Sequence, residues 1–167
     1  MCGICGYIDF AKREGAAAMR ARVLAMSGTL RRRGPDGEAA WTDEAAGVAL
    51  AHRRLAIIDL SPAGRQPMVS GDGRYVVTYN GEIYNFAALR AELESGGHRF
   101  VSRSDTEVLL EACAAWGAEA AARRLIGIFA FALWDRRERA LTLVRDQIGV
   151  KPLYWTLQEG CCSSAPS

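Results

Sequence analysis

Apolar positions follow two rhythms along this chain. Alternating or solid apolar runs of strand length occur at 2–10, 38–42, 47–52, 54–59, 75–79, 127–134 and 140–145. Helical spacing occurs at 16–32, 85–95 and from Ser104 through Trp116. Turn chemistry separates them. Arg33-Gly34-Pro35-Asp36-Gly37 breaks the first helix and Gly96-Gly97 ends the second. Ser104-Asp105-Thr106-Glu107 predicts a capping box for the third. Pro62, Gly64, Pro67, Gly71 and Gly73 mark a loop over 61–73. The last two runs predict a hairpin across Arg136–Arg139. Strands, then helices, then strands, without βαβ alternation, predict an antiparallel α+β fold.

Composition narrows the class. A chain of 167 residues, 50% hydrophobic, suits one domain with its own core. The net charge of +2 implies neither nucleic acid nor a membrane surface as partner. The arginines at Arg31–Arg33 and Arg136–Arg139 read as solvated element ends. The longest apolar run, Ile126–Trp134, is far short of the ~20 residues of a membrane helix and reads as a buried strand. The start lacks a basic region and meets Asp9 early, so no signal peptide is expected. Five scattered cysteines suit reduced thiols, and the expected location is cytoplasmic.

Several residues could carry chemistry. Cys2 directly follows the initiator, and loss of Met1 would leave a terminal residue with both a thiol and an amine. An α-amine of pKa near ~8 can take the thiol proton, so Cys2 is a candidate nucleophile. Cys2-x-x-Cys5 as a redox or zinc pair is the rival reading. A strand would point the two to opposite faces, no second pair completes a site, and no metal is expected. His52 and His98 are the histidines available as a base. His52 precedes Arg53 and Arg54, which disfavour an imidazolium, and His98 follows a helix stop. Asn80-Gly81 could supply a side-chain amide and a backbone N–H to one oxyanion, or could simply form a turn. Arg54 and Asp105 could grip the carboxylate and ammonium of an amino acid, or could be structural ion-pair partners.

Together these segments resemble the class II glutamine amidotransferases, and among them the asparagine synthetase family. The resemblance rests on Met1-Cys2-Gly3-Ile4-Cys5-Gly6, the 33–37 loop, HRRLAIIDLSPAGRQPM at 52–68, YNGEIYN at 79–85, SDTEVLL at 104–110, FAFALWD at 129–135 and RDQIGVKPLY at 145–154. It implies an N-terminal-nucleophile hydrolase fold, a four-layer αββα sandwich over 1–155. It implies that Cys2 attacks the side-chain amide of L-glutamine, with Asn80 and Gly81 holding the oxyanion. Arg54, Asp105, Glu82 and the main chain around Ile57 and Ile58 would form the glutamine pocket. The 33–37 loop would shape that pocket, and Arg145-Asp146 with Lys151-Pro152 would be structural. No cofactor is implied for this half. The family's synthetase domain uses ATP and Mg to activate aspartate, and neither that domain nor its Ser-Gly-Gly-x-Asp-Ser type loop is found here.

The end departs from the family pattern. Cys161-Cys162-Ser163-Ser164 stands where a Leu-Leu-Phe-Phe-like strand is expected, and a one-base shift in reading frame would make that exchange. Residues 156–167 are therefore expected to be an unstructured tail of a truncated, marginally stable chain. A partner-binding remnant without activity, and a cysteine hydrolase of another amide, remain as further readings.

Overall fold

The computed structural model describes residues 2–55, 62–158 and 161–165. Alternating strands need a partner for each face, and this chain supplies two sheets and helices outside both. β1 (Gly3–Asp9), β2 (Gly37–Asp43), β3 (Val48–Arg54), β8 (Tyr154–Gln158) and β9 (Cys161–Ala165) form one sheet in the order β2-β3-β1-β9-β8. β4 (Met68–Val69), β5 (Tyr75–Ile83), β6 (Gly127–Asp135) and β7 (Ala140–Arg145) form the second, in that order. Every pairing is antiparallel. The helices are α1 (Ala16–Gly28), α2 (Phe86–Ser95), α3 (Asp105–Trp116) and α4 (Ala118–Arg124).

Side-chain parity explains the layering. Ile8, Val48, Leu50, Val76, Ala132 and Trp134 pack into one cluster between the sheets. Their strand neighbours Cys5, Tyr7, Ala49 and Ala51 pack outward against Met19 and Val23 of α1. Val77, Tyr79, Phe129, Phe131 and Leu133 pack outward on the other side against α2, α3 and α4. The result is the four-layer αββα sandwich expected from the sequence, with α3 central and Val108, Leu109 and Cys113 fully buried.

Four local features differ from the sequence reading. The Ser104 hydroxyl does cap α3, accepting from Thr106 N–H at 3.0 Å. The predicted capping box does not close, because the Glu107 carboxylate reaches back to the N–H groups of Val101 and Ser102. α4 was not apparent from apolar spacing, since its sequence, AEAAARR, carries no apolar stripe beyond alanine. The Arg136–Arg139 turn is tied down rather than merely solvated. Arg136 donates to the Gly73 carbonyl and Arg139 to that of Ala45. Arg74 clamps Asp135 at the same end.

The fourth difference is the end of the chain. Residues 156–167 were expected to be unstructured, but β8 and β9 pair with each other, and β9 pairs Gly6–Asp9 of β1 with Cys161–Ser164. Backbone ladders do not need large apolar side chains, and β1 would otherwise present an open edge. Among the described residues β8 joins the sheet through β9, so deleting 159–167 removes β9 and leaves β8 unpaired. At about 0.5–1.5 kcal/mol per backbone hydrogen bond, loss of the four-pair ladder between β1 and β9 alone is expected to cost ~3 kcal/mol. Calorimetry should show Tm lower by about 6–12 °C at ~2–4 °C per kcal/mol for a domain of this size; an unchanged Tm would mean that the strand pair contributes nothing.

Candidate functional site

Period-two alternation continues beyond the apolar inter-sheet cluster and turns polar at one end. On β3 the inward positions after Val48 and Leu50 are His52 and Arg54. On β5 they are Thr78 and Asn80 after Val76. On β1, Ile8 shares its face with Gly6, Ile4 and, one step beyond the strand, Cys2. Cys2, Arg54 and Asn80 thus belong to the same end of the space between the sheets. The inter-sheet hydrogen bond from Thr78 Oγ1 to the Ala51 carbonyl, 3.2 Å, holds the two sheets together just below them.

Cys2 is half-buried against the end of β3. Its Sγ accepts from Leu55 N–H at 3.3 Å and faces the Leu55 carbonyl at 3.6 Å. Burial pushes its thiol pKa up, opposed by the Leu55 N–H and the Arg54 guanidinium, while the Asp105 carboxylate adds to the rise. The thiol is therefore protonated near neutral pH and needs a base to become a nucleophile.

The 33–37 loop presses directly on the backbone that carries Arg54. A Cβ on Gly34 would stand 2.4 Å from the Arg53 carbonyl carbon and 2.7 Å from Arg54 N. The Asp36 N–H donates to the Arg54 carbonyl at 3.0 Å. Arg54 also lines a cavity of about 400 Å³ with Asp36, Glu38, His52, Arg65 and Gln66.

Asn80-Gly81 is not a turn. β5 runs unbroken through both, with Asn80 opposite Ala130 and Gly81 opposite Phe129. A Cβ on Gly81 would stand 2.2 Å from the Ile128 carbonyl oxygen, so the close approach of β6 demands glycine. The Asn80 side chain is buried, and its Nδ2 has no hydrogen-bond partner. A buried unpaired amide costs about 1–3 kcal/mol, and such a group calls for a reason.

Asp105 opens α3 and is buried, yet its Oδ2 accepts from the Tyr79 hydroxyl at 2.6 Å and Ile83 N–H at 3.1 Å. Burial raises its pKa against these two donors, and Tyr79 is raised too, by burial and by the neighbouring Asp105, Glu82 and Cys2. Of these groups Asp105 is in direct contact with the tyrosine. Glu82 itself is exposed, at the rim. Ile57 and Ile58 lie outside the described residues.

The rival residues go elsewhere. Cys5 is buried against α1, where burial pushes its thiol to about 12, and it faces away from Cys2. His98 pairs with Glu111 at 2.9 Å. His52 is buried, and burial with the Arg54 charge lowers its pKa to about 4, so it is a neutral ring and no strong base. Among the described residues no cluster of three His, Cys, Asp or Glu side chains is placed to hold a metal, and no helix is long and apolar enough to cross a membrane.

Two residues beside the site, Gln66 and Tyr79, were not singled out from the sequence. Gln66 accepts from Tyr79 N–H at 2.6 Å and donates to Thr106 Oγ1 at 3.1 Å, fixing the loop to β5 and α3. It sits in a Pro- and Gly-rich stretch with no periodic signal. Tyr79, by contrast, could have been flagged by its place directly before Asn80. Asp146 accepts from the N–H groups of Phe129, Val150 and Lys151, which makes the 145–154 motif a structural knot on β6, as expected.

Comparison with known proteins places this geometry. The model of a glutamine amidotransferase domain family matches residues 1–165. The chain is 43% identical over 159 residues to asparagine synthetase [glutamine-hydrolyzing] 3 of Bacillus subtilis (strain 168), covering 93% of this chain and 25% of that protein. It is 42% identical to asparagine synthetase [glutamine-hydrolyzing] 2 of Oryza sativa subsp. japonica, again over 25% of the relative. The chain therefore spans about a quarter of the length of these curated relatives. Among solved structures, the glutamine phosphoribosylpyrophosphate amidotransferase of B. subtilis, complexed with ADP and GMP, superposes with a TM-score of 0.78 at 22% identity. That match covers 98% of this chain and 41% of that one, and it shows a shared fold.

Proposed function

The chain belongs to the glutamine amidotransferase domain family, and from that premise we propose that it hydrolyses the side-chain amide of L-glutamine to glutamate and ammonia, with Cys2 as nucleophile. The observation that carries this reading is the convergence of the Cys2 thiol, Arg54 and the unpaired Asn80 amide at one end of the inter-sheet space. With Met1 removed, the Cys2 α-amine takes the thiol proton as sulfur attacks the amide carbon. Asn80 Nδ2 and the Gly81 N–H receive the oxyanion. The C–N bond then breaks, the amine returns its proton to the leaving ammonia, and a γ-glutamyl thioester remains. Water cleaves the thioester, releasing glutamate and restoring the thiol. Arg54 grips the α-carboxylate and Asp105 the α-ammonium, with Glu82 and the main chain around Ile57 and Ile58 closing the pocket. This cycle needs no metal or cofactor.

The ammonia acceptor belongs to the portion of the relatives that this chain does not span. We propose an asparagine-synthetase-type partner, a domain or subunit that activates aspartate with ATP and Mg, and a cytoplasmic location where Cys2 stays reduced. Purified protein whose mass shows loss of Met1 should release glutamate and ammonia in equal amounts from L-glutamine and not from its N-acetyl derivative. Absence of release from L-glutamine would overturn the proposal.

Arg54→Ala should act mainly on KM. The guanidinium holds a carboxylate that does not change during the reaction, so ground state and transition state lose the same interaction. A charge-assisted bidentate pair of about 1.5–3 kcal/mol corresponds to KM raised roughly 10–150-fold. Steady-state kinetics with kcat reduced and KM unchanged would remove Arg54 from the carboxylate.

A further inference from the structure

β4 is only two residues long and pairs Met68 with Val77 and Val69 with Val76. Continuing that register sets Gln66 opposite Tyr79, but the ladder has ended, and Gln66 meets β5 with its side chain instead. Its Oε1 accepts from Tyr79 N–H at 2.6 Å, and its Nε2 donates to Thr106 Oγ1 on α3 at 3.1 Å. A backbone N–H can only donate, so the orientation of this amide is fixed. The other end of Tyr79 closes a ring. Its hydroxyl donates to Asp105, the residue before Thr106, at 2.6 Å. Gln66, Tyr79, Asp105 and Thr106 are all buried, so each of these bonds is made in a low-dielectric interior.

We infer that Gln66 is a positioning residue of the glutaminase site, whose side chain holds β5 at Tyr79 against α3 and so fixes where Asn80, the next residue, presents its amide. This inference rests on the hydrolase reading proposed above. Asn80 Nδ2 has no partner within the protein, so its place is set by the strand that carries it. One edge of that strand is held by β6, with Asn80 opposite Ala130. On the other edge, at Tyr79, the tie is Gln66. Asp105 differs, because it keeps the Tyr79 hydroxyl and the Ile83 N–H whatever stands at 66. Loss of Gln66 should therefore reach the oxyanion donor and spare the ammonium partner. A misplacement of ~1 Å in such a donor can cost about 100-fold in rate. Gln66 also walls the cavity of about 400 Å³ with Arg54, so the tie lies beside the site.

Gln66→Met keeps the length of the side chain and removes both hydrogen bonds. It should lower kcat about tenfold or more, with KM for glutamine within about threefold. Gln66→Glu keeps the acceptor for Tyr79 N–H, and the Thr106 hydroxyl can turn to donate to the second oxygen, so its kcat should stay within about threefold of the parent. In an Asn80→Ala background, where the donor is already gone, Gln66→Met should change kcat by less than about twofold. A parental kcat in Gln66→Met, the same fold loss with and without Asn80, or no recovery in Gln66→Glu overturns the inference. If Gln66→Met does not fold, NMR of the unsubstituted protein decides. A coupling across the hydrogen bond between the Tyr79 nitrogen and Gln66 Cδ supports the tie, and its absence overturns it. A parent protein without glutaminase activity would instead sink the hydrolase reading. Displacement of the Asn80 side-chain amide signal in Gln66→Met would then still show that Gln66 sets its place, and an unmoved signal would overturn that.

Discussion

Cys2→Ala is expected to abolish the proposed glutamine hydrolysis and to leave the fold intact, the largest effect expected for any single substitution here. In the proposed reaction the thiol bonds to the amide carbon, and neither Cys5 nor Cys113 can replace it. Cys5 faces α1, and Cys113 is buried under α3, with burial pushing both to about 12. Losing the thioester route removes the covalent intermediate rather than one contact, so residual activity should sit at the assay background. Cys2 contributes little packing, being half-buried, and its hydrogen bonds are to one residue, Leu55. The melting temperature should therefore stay close to that of the parent. The pH profile adds a check on the mechanism. Because the Cys2 pKa is raised, the thiol is not a preformed anion near pH 7, and its proton must go to the α-amine. Below an amine pKa of ~8 the free amine falls tenfold per pH unit, and kcat/KM should fall with it. Mass spectrometry with γ-glutamyl trapping measures the intermediate directly. A glutamyl adduct on Cys2→Ala, or a rate flat from pH 6 to 8, would show that another group attacks or another base assists.

Asn80→Ala should lower kcat by about 10²–10³, equivalent to ~2.7–4 kcal/mol, with KM little changed. The resting amide of glutamine carries little charge for Nδ2 to meet, whereas the tetrahedral oxyanion carries nearly a full one. The interaction is therefore made mostly in the transition state, which is why kcat responds. The structure makes this variant informative for a further reason. Nδ2 has no partner in the resting protein, so removing it breaks no internal hydrogen bond from that atom. Asn80→Ala should thus separate activity from stability more cleanly than most buried polar substitutions. Its Tm measures that directly. A parental kcat would mean that the Gly81 N–H holds the oxyanion without Asn80, while a collapsed Tm would mean that Asn80 is there for packing.

Local information carried much of this protein. The period-two runs in 2–10, 75–79 and 127–134 specified strands, because alternation is a property of each strand alone. The ordered motifs from Met1-Cys2-Gly3 to RDQIGVKPLY were sufficient for the family and the sandwich. What tertiary structure decided depends on neighbours far along the chain. Asn80-Gly81 reads as a turn by composition, yet it is mid-strand because β6, nearly 50 residues later, passes so close that only glycine fits. Asp105 reads as a helix-start charge, yet its carboxylate is held by Tyr79, 26 residues earlier. Gln66 carried no periodic signal for its task, since that task exists only where its loop meets the Tyr79 N–H on β5. The closing segment shows the same limit. Cys161–Ala165 has too few apolar residues to announce a strand, but the open edge of β1 supplies a ladder that any non-proline backbone can complete. Propensity and alternation are local and can be read in the chain; the satisfaction of backbone edges and buried polar atoms is settled only when distant segments meet.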